Sequence, residues 1–226
     1  MTMNGLRMRR IWAVVLACFS LTSYAQDSNY PVKPIKLLVG YAPGGASDIV
    51  ARSIAIKMQE TLGQPIIVEN RAGAGGTVGT GFVARSEPDG TTLVMSAASH
   101  NIAGHLYAKL AYDPVKDFSY ILNMVDNIFA VVVSAESPFK TWADLLAYGR
   151  ANPNKVSYGA PPGLGQSAHI FMEEVTAKEK LAWQAIGYKG SSESVTALLG
   201  GHITFAVDTV ISTSAFVRSG KARYLA

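Results

Sequence analysis

The sequence has almost no cysteine, and Cys18 is the only one among its 226 residues. A chain with a single thiol forms no internal disulfide, so its fold depends on an apolar core. The sequence also lacks an apolar segment long enough near its start to cross a bilayer, because residues 11–21 fall short of the roughly 20 residues that a spanning helix needs. These absences exclude a disulfide scaffold and argue against a retained transmembrane anchor.

The first 25 residues have the pattern of an export signal. Three arginines lie between residues 7 and 10, and the apolar segment 11–21 follows. The small residues Ser23 and Ala25 then come directly before the predicted cleavage site. This order is typical of a secretory signal peptide and predicts cleavage after residue 25. A lipid anchor on Cys18 is not expected, because Leu16 is bulky for a lipoprotein cleavage site.

The charge balance changes when this signal is set aside. The whole chain has 20 basic and 16 acidic residues, and the predicted signal contains three of the basic ones and none of the acidic ones. The remaining chain has 17 basic and 16 acidic residues and no basic stripe with interleaved aromatic residues. The pattern therefore predicts no nucleic-acid partner.

Strand and helix patterns alternate along the rest of the chain. Apolar residues recur every four positions between Val50 and Leu62, which predicts a helix that begins after a strand at 35–40. Further strands are expected at 66–68 and 92–97, with a short helix at 77–85. The order βαβαβ predicts a largely parallel sheet covered by helices. Residues 99–118 read as irregular, and a second βα series is expected from about residue 128.

A glycine turn joins the first strand to the first helix. Gly44 and Gly45 leave the first amides of the helix uncovered, and these N–H groups with the helix dipole attract an anion. A phosphate loop of the Walker type would contain a lysine, whereas this turn is followed by Ala46, Ser47 and Asp48. The turn therefore favours a singly charged carboxylate over a phosphate.

A similar strand, glycine loop and helix occur again in the second half of the chain, at 156–171. A single loop of this kind can serve only to shape a connection. Two of them, one in each half, favour a cleft with helix N-termini on both walls.

Other chemistries have weaker support. Residues 79–84 fit GxGxxA, but no strand leads directly into them and no acid ends the next strand, so we expect no dinucleotide. The four histidines form no metal-ligand pattern, so neither a metal nor another cofactor is expected. Asp48 and Asp208 each fit either a ligand contact or a helix cap. A hydrolase that uses Ser167 or Ser47 with His169 remains the enzymatic alternative.

The chain resembles the substrate-binding proteins of tripartite tricarboxylate transporters, the Bug receptor family. The resemblance runs through nearly all of the chain after the signal, and its motifs together are highly specific. They are YAPGGASDIVAR (41–52), GQPIIVENRAGAGGTVG (63–79), PDGTTL (88–93), YDPVKDF (112–118), GLGQSAH (163–169), GYKG (187–190) and LLGGHITFAVD (198–208).

The resemblance implies a periplasmic, non-catalytic receptor of the periplasmic-binding-protein-like α/β class. Two α/β lobes, 26–127 and 128–226, would close over a small mono- or dicarboxylate, which a membrane permease then takes up. We expect a monomer. The resemblance, together with the turns, assigns ligand binding to Tyr41, Pro43, Gly44, Gly45, Ala46, Ser47, Asp48, Ser96, Ser99, Asn101, Gly165, Gln166, Ser167, His169, Tyr188, Gly190 and Asp208.

Two features depart from the family pattern. Gln166 stands where a small hydroxyl residue is common, which changes the expected contacts to the ligand. Family members also continue past the position of Ala226 and return to the first lobe, so lobe 1 is expected to be incomplete. A truncated, non-binding remnant is the third hypothesis, and the sequence does not select which carboxylate is bound.

Overall fold

The computed structural model describes residues 30–226, so the predicted signal peptide and Cys18 lie outside the described residues. Residues Lys33–Ala226 form one compact unit. No helix within the described residues is long and apolar enough to cross a membrane. The architecture is α/β, with seven α-helices and two sheets in this part of the chain, as the sequence predicts.

The first sheet has three parallel strands in the order β2-β1-β3. Its central strand is apolar and buried, with Leu38 and Val39 fully excluded from solvent. The elements of this half are β1 (Ile35–Val39), α1 (Ala46–Leu62), β2 (Ile66–Asn70), a 3₁₀ turn (Ala74–Gly76), α2 (Thr77–Val83), β3 (Thr92–Met95) and α3 (Ser99–Leu106).

Helix α1 packs closely against this sheet because its buried face is formed by small residues. Ala51 and Ala55 are buried, while the larger apolar side chains of the predicted stripe, such as Met58, are only partly buried. The helix ends at Gly63, which has the left-handed φ of 66° and donates its N–H to the Gln59 carbonyl at 3.0 Å. Glycine adopts this conformation without strain, so the predicted end of the helix is confirmed.

The second sheet has five strands in the order β6-β5-β7-β4-β8. Strand β5 is parallel to β6 and β7, but β4 is antiparallel to both β7 and β8. The parallel sheet predicted from the βαβαβ order of the first half is confirmed, and the antiparallel direction of β4 in the second sheet was not predicted. The elements are β4 (Phe129–Ser134), α4 (Trp142–Ala151), β5 (Ser157–Ala160), α5 (Ser167–Glu179), β6 (Gln184–Gly187), α6 (Ser191–Leu199), β7 (Phe205–Thr209), α7 (Val210–Arg218) and β8 (Ala222–Tyr224).

One segment is more regular than its sequence indicates. Residues 99–118 read as irregular, but α3 occupies the first eight of them. The helix is short and contains Gly104, so its intrinsic propensity is weak. Buried Ala103 and His100 hold it in place, which is tertiary packing that sequence periodicity does not reveal.

A capping box of Thr141 and Asp144 forms the start of α4. The Thr141 side chain accepts from the Asp144 N–H at 3.2 Å, and the Asp144 carboxylate accepts from the Thr141 N–H at 2.8 Å. The two groups satisfy one another's backbone donors.

We predict that Thr141→Ala lowers the free energy of unfolding by about 1 kcal/mol, because a helix amide loses its acceptor. Urea unfolding measures this change. Thr61→Ala is the matched control: the Thr61 hydroxyl is also exposed and donates to the Lys57 carbonyl without capping a helix start. The expected change for the control is within about 0.5 kcal/mol. An equal loss in both variants would contradict the assigned cap.

Candidate functional site

The turn between β1 and α1 is fixed by a buried carboxylate. Asp48 is only 4% exposed and accepts the Gly44 N–H at 3.0 Å. It also accepts from Arg52 Nε at 3.0 and 3.1 Å and from Asn70 Nδ2 at 2.9 Å. Gly44 has a positive φ of 80°, which this closed turn requires.

These partners determine the charge state of Asp48. Burial by itself would raise the pKa of Asp48, but the hydrogen bonds from Arg52, Gly44 and Asn70 outweigh it and hold the pKa below its usual value. Both oxygens are occupied inside the chain. Asp48 therefore shapes the turn that presents the α1 amides, which fits the capping alternative, and its direct contact with a ligand stays a prediction.

A tyrosine and a serine join β1 to α3 beside the turn. The Tyr41 and Ser99 hydroxyls are hydrogen-bonded at 2.7 Å, and both residues are buried. Burial raises the pKa of Tyr41, so its phenol is neutral at physiological pH. A Cβ on Gly76 would lie 3.0 Å from the Tyr41 ring, and the positive φ of 97° at this position also favours glycine. The ring is thus fixed in the wall of the first half.

The opposing wall is built from the starts of α5 and α6. Gln166 is the N-cap residue of α5, and Gly190 is the N-cap residue of α6. The loop before α5 is closed by His169, whose Nδ1 accepts the Gly165 N–H at 3.1 Å. The sequence prediction of a second helix N-terminus facing the cleft is matched by this arrangement, and α6 supplies a third.

The two walls touch directly at one end. The Ser192 hydroxyl donates to the Pro43 carbonyl at 2.9 Å. A Cβ on Gly44 would lie 2.5 Å from Ser192 Oγ, and a Cβ on Gly190 would lie 2.6 Å from the Ala42 Cβ. Glycine at 44 and 190 therefore permits the close approach of the two walls.

Asp208 lies at the end of β7, on the same wall as α6. Its Oδ1 accepts from the Ser191 hydroxyl at 2.8 Å and from the Thr209 N–H at 2.7 Å, while its Oδ2 has no hydrogen-bond partner. Burial raises the pKa of Asp208 to about 6, against the opposing effect of these two bonds. The cleft thus contains a carboxyl group that titrates close to neutral pH.

A cavity of about 1310 Å³ opens between the walls and extends along β3 and residues 116–127 of the first half. Eleven of the seventeen residues predicted from the sequence line it: Tyr41, Gly45, Ala46, Ser47, Ser96, Ser99, Asn101, Gln166, Ser167, Gly190 and Asp208. The other six lie behind the lining. They are Pro43, Gly44, Asp48, Gly165, His169 and Tyr188.

The positions of these six have physical causes. Pro43 and Gly44 contact the opposing wall, and Gly165 and His169 bond to one another. Tyr188 packs against the apolar cluster between β7 and α6 and not into the cleft. These contacts give the residues supporting roles in the two walls, and their predicted ligand contacts stay a prediction.

The sequence reasoning missed several lining residues. Ala42, Ser191 and Thr209 line the cleft, and each lies next to a residue that was predicted. Gly75 lies outside the lining but supports it, because a Cβ at this position would be 2.3 Å from Nε2 of Gln166. The GAGG sequence was the available signal for this last contact, but only the packing of the two halves shows its partner.

The enzymatic alternative has little geometric support. His169 directs Nδ1 to the Gly165 N–H, and its Nε2 lies 3.5 Å from Glu173 Oε1. Ser167 is two positions away on α5, and residues at this spacing do not face one another on a helix. Within the described residues no group of three or more His, Cys, Asp or Glu side chains is arranged to hold a metal ion.

Comparison with known proteins shows which family the chain is similar to. Residues 50–226 match the family described as the tripartite tricarboxylate transporter family receptor. The UPF0065 protein in the gbd 5′ region of Cupriavidus necator is 40% identical over 210 residues, which are 93% of this chain and 63% of that protein. Protein BugT of Bordetella pertussis is 32% identical over 226 residues, with 99% and 69% of the two chains covered. The chain thus spans about two thirds of the length of these relatives.

Solved structures share the fold. The periplasmic binding protein BugD superposes with a TM-score of 0.76 at 31% identity, over 86% of this chain and 65% of its own. Rpa4515 of R. palustris with adipate superposes with a TM-score of 0.83 at 28% identity, over 87% of this chain and 66% of its own. MatC (Rpa3494) from Rhodopseudomonas palustris with bound malate superposes with a TM-score of 0.76 at 28% identity, over 87% of this chain and 67% of its own. These likenesses confirm the predicted periplasmic-binding-protein-like fold.

Proposed function

Because the chain belongs to the tripartite tricarboxylate transporter receptor family, we propose that it is a periplasmic receptor that binds a small carboxylate in the cleft between its two sheets. A membrane permease of a tripartite transporter is the proposed partner that receives the ligand. The family consists of transporter receptors, so the prediction of a non-catalytic protein is confirmed at the level of the family.

One observation carries this proposal: three helices begin at the same cleft. Residues at the starts of α1, α5 and α6 line it, namely Ala46, Ser167 and Gly190 with their neighbours. The first N–H groups of a helix have no intrahelical acceptor, and the helix dipole adds partial positive charge there. Three such starts around one cavity favour an anion, and the absence of a lysine or arginine from the turns before α1 and α5 favours a carboxylate over a phosphate there.

The solved neighbours support a dicarboxylate as the ligand class. Adipate and malate are the compounds named with Rpa4515 and MatC. Both are small dicarboxylates, and the cavity of about 1310 Å³ has room for either of them.

We assign the ligand carboxylate to the amides of Gly45, Ala46 and Ser47. The Tyr41 and Ser99 pair and the nearby Ser96 and Asn101 would form the rest of this wall. Gln166, Ser167, Gly190 and Asp208 would contact the ligand from the other side. Pro43, Gly44, Asp48, Gly165, His169 and Tyr188 would fix the positions of both walls.

Closure of the two proposed lobes, 26–127 and 128–226, would bury the carboxylate against preformed donors. Charge-assisted hydrogen bonds are stronger in such a water-poor cleft than in solvent. The bond from Ser192 to the Pro43 carbonyl would be made as the walls meet, and so would report occupancy. The permease would recognise this closed form.

We predict that succinate, malate or adipate stabilises the purified protein against unfolding. An acid present at 100 times its dissociation constant adds about 2.7 kcal/mol, because only the folded state binds it. Thermal unfolding with and without each acid measures this, and isothermal titration gives the dissociation constant. The diamide of the same acid is the matched control, since it has the same shape without the charge. Stabilisation by the diamide equal to that by the acid, or no response to any acid, would contradict the proposal, and the absence of a cooperative transition would support a non-binding remnant.

A further inference from the structure

The loop before α5 is tied to its helix by one imidazole. Residues 161–166 join β5 to α5, and Pro161 and Gln166 at the two ends of this loop line the cleft. The Gly165 N–H donates to Nδ1 of His169 at 3.1 Å, so Nδ1 carries no proton in this arrangement. Gly165 has a positive φ of 79°, a backbone conformation that glycine favours. The shape of this part of the wall therefore depends on the neutral form of His169.

The other nitrogen of the same ring faces a carboxylate. Nε2 of His169 lies 3.5 Å from Oε1 of Glu173, one turn further along α5, and the same oxygen accepts from the hydroxyl of Tyr158 in β5 at 3.2 Å. From α3 of the first half, the apolar Leu106 reaches the loop, 3.8 Å from the Cβ position of Gly165. In the part of the chain that the structure describes, no lysine or arginine bonds to the ring. The ring thus has one partner that requires its neutral form and one that attracts its cation.

Protonation would exchange these partners. A protonated imidazole carries a hydrogen on both nitrogens and accepts no hydrogen bond, so Nδ1–H and the Gly165 N–H would face each other as two donors. Histidine is the side chain whose charge ordinarily changes between pH 5 and pH 8. We propose that His169 is a positioning residue that makes the cleft sensitive to pH. The neutral ring holds the loop 161–166 closed, and the protonated ring releases the Gly165 N–H while it stays paired with Glu173.

Release of this loop weakens the proposed binding of a carboxylate. Gln166 and Ser167 follow Gly165 directly and line the cleft, so their positions depend on how the loop ends. The form that binds the ligand requires the unprotonated ring. Affinity is therefore highest above the pH range in which the imidazole titrates, and it falls as the pH decreases through that range. This inference rests on the proposed receptor function and adds a form of regulation to it.

Two amide variants separate the roles of the two ring nitrogens. His169→Asn places an oxygen at the δ position, where it accepts the Gly165 N–H, and has no group that reaches Glu173. His169→Gln places its amide at the ε position, near Glu173, and offers no acceptor at the δ position. Isothermal titration at pH 7.5 is expected to show at least about threefold tighter binding of the acid by His169→Asn than by His169→Gln, the effect of one hydrogen bond.

The pH profile shows whether protonation of His169 causes the release. Between pH 7.5 and pH 5.5 the wild type is expected to lose at least about threefold more affinity than either amide variant, because neither variant titrates at residue 169. Each protein is titrated with the same acid, namely whichever of succinate, malate and adipate binds the wild type most tightly. Titration of the acid itself and of Asp208, whose pKa burial raises to about 6, then cancels in the comparison. His202→Asn, at an exposed histidine, is the matched control and is expected to keep the wild-type pH dependence.

Hydrogen–deuterium exchange follows the loop without any ligand. A backbone amide exchanges slowly while it is hydrogen-bonded and faster once the bond opens. At pH 7.5 the amide of Gly165, in peptides that span residues 161–166, is expected to exchange at least about threefold faster in His169→Gln than in His169→Asn. Circular dichroism at each pH checks that all variants are folded.

The outcomes separate this inference from the proposed function. A wild-type pH profile parallel to that of His169→Asn, or equal exchange of the loop in the two amide variants, would overturn the role of His169 and leave the carboxylate receptor intact. Failure of succinate, malate and adipate to bind at either pH would overturn the receptor function. The exchange comparison would still decide whether His169 holds the loop.

Discussion

Gly44→Ala is expected to weaken binding of the acid ligand at least about tenfold while the protein still folds. The new Cβ would lie 2.5 Å from Ser192 Oγ on the opposing wall, closer than unbonded atoms approach. Alanine also resists the positive φ of 80° at this position, at a cost of roughly 1–2 kcal/mol. The walls would be held apart, so the proposed closed form that buries the carboxylate would be disfavoured. Isothermal titration with the acid that binds the wild type most tightly measures the effect.

Two further variants separate the contact between the walls from backbone strain. Gly63→Ala introduces a similar positive φ, 66°, at the other end of α1, where a Cβ meets nothing within 4 Å. It is expected to lower stability by about 1 kcal/mol and to leave affinity unchanged. The double variant Gly44→Ala with Ser192→Ala lacks the Ser192 hydroxyl, and the Cβ of residue 192 then lies 3.9 Å from the new Cβ. It is expected to bind the acid more tightly than Gly44→Ala alone. Unchanged affinity in Gly44→Ala would show that closure at this point does not matter for binding.

Between pH 4 and pH 7 the wild type is expected to lose about 2.4 kcal/mol of stability through Asp208, and Asp208→Asn is expected to lack this loss. Burial raises the pKa of Asp208 from the ordinary 3.8 to about 6. In this window the unfolded chain loses the proton while the folded chain retains it, so rising pH stabilises the unfolded state. The contribution of Asp208 is therefore fully present below pH 3.8 and is lost as pH rises to about 6, at 1.36 kcal/mol for each pKa unit. Asparagine does not titrate, so the variant lacks this loss.

Urea unfolding of both proteins at pH 4 and pH 7 measures the difference. The free energy of unfolding of the wild type, relative to that of Asp208→Asn, is expected to fall by about 2.4 kcal/mol from pH 4 to pH 7. Comparing the two proteins at each pH cancels the other titrating groups, including Asp48, whose depressed pKa acts below this range. Parallel pH profiles would show that Asp208 has an ordinary pKa in the folded chain.

Local sequence patterns were sufficient to predict an element when its apolar spacing and its end residues lie within the element itself. Val50 to Leu62 has helical spacing, and Gly44, Gly45 and Gly63 mark the ends of α1, so the turn and its helix were predicted closely. The capping box at Thr141 was likewise readable, because both partners lie within three residues. The resemblance then supplied Gln166, and for Asp208 it favoured a ligand contact over a helix cap.

Nonlocal features were not predictable in this way. The antiparallel direction of β4 depends on its pairing with β7, about 75 residues away in sequence. The positions of Tyr188 and His169 behind the cleft depend on which neighbours cover them. The contact of Gly75 with Gln166 joins two segments about 90 residues apart, and neither sequence alone indicates it.

The sequence by itself determined the alternation of strands and helices, the glycine turns that leave helix amides uncovered, and the family. These follow from backbone preferences and spacing over a few residues. Only the tertiary structure decided which side chains line the cleft, which ones support it, and which groups the two nitrogens of His169 face. The reason is physical: burial and hydrogen-bond satisfaction depend on every atom that surrounds a group, and most of those atoms come from distant parts of the chain.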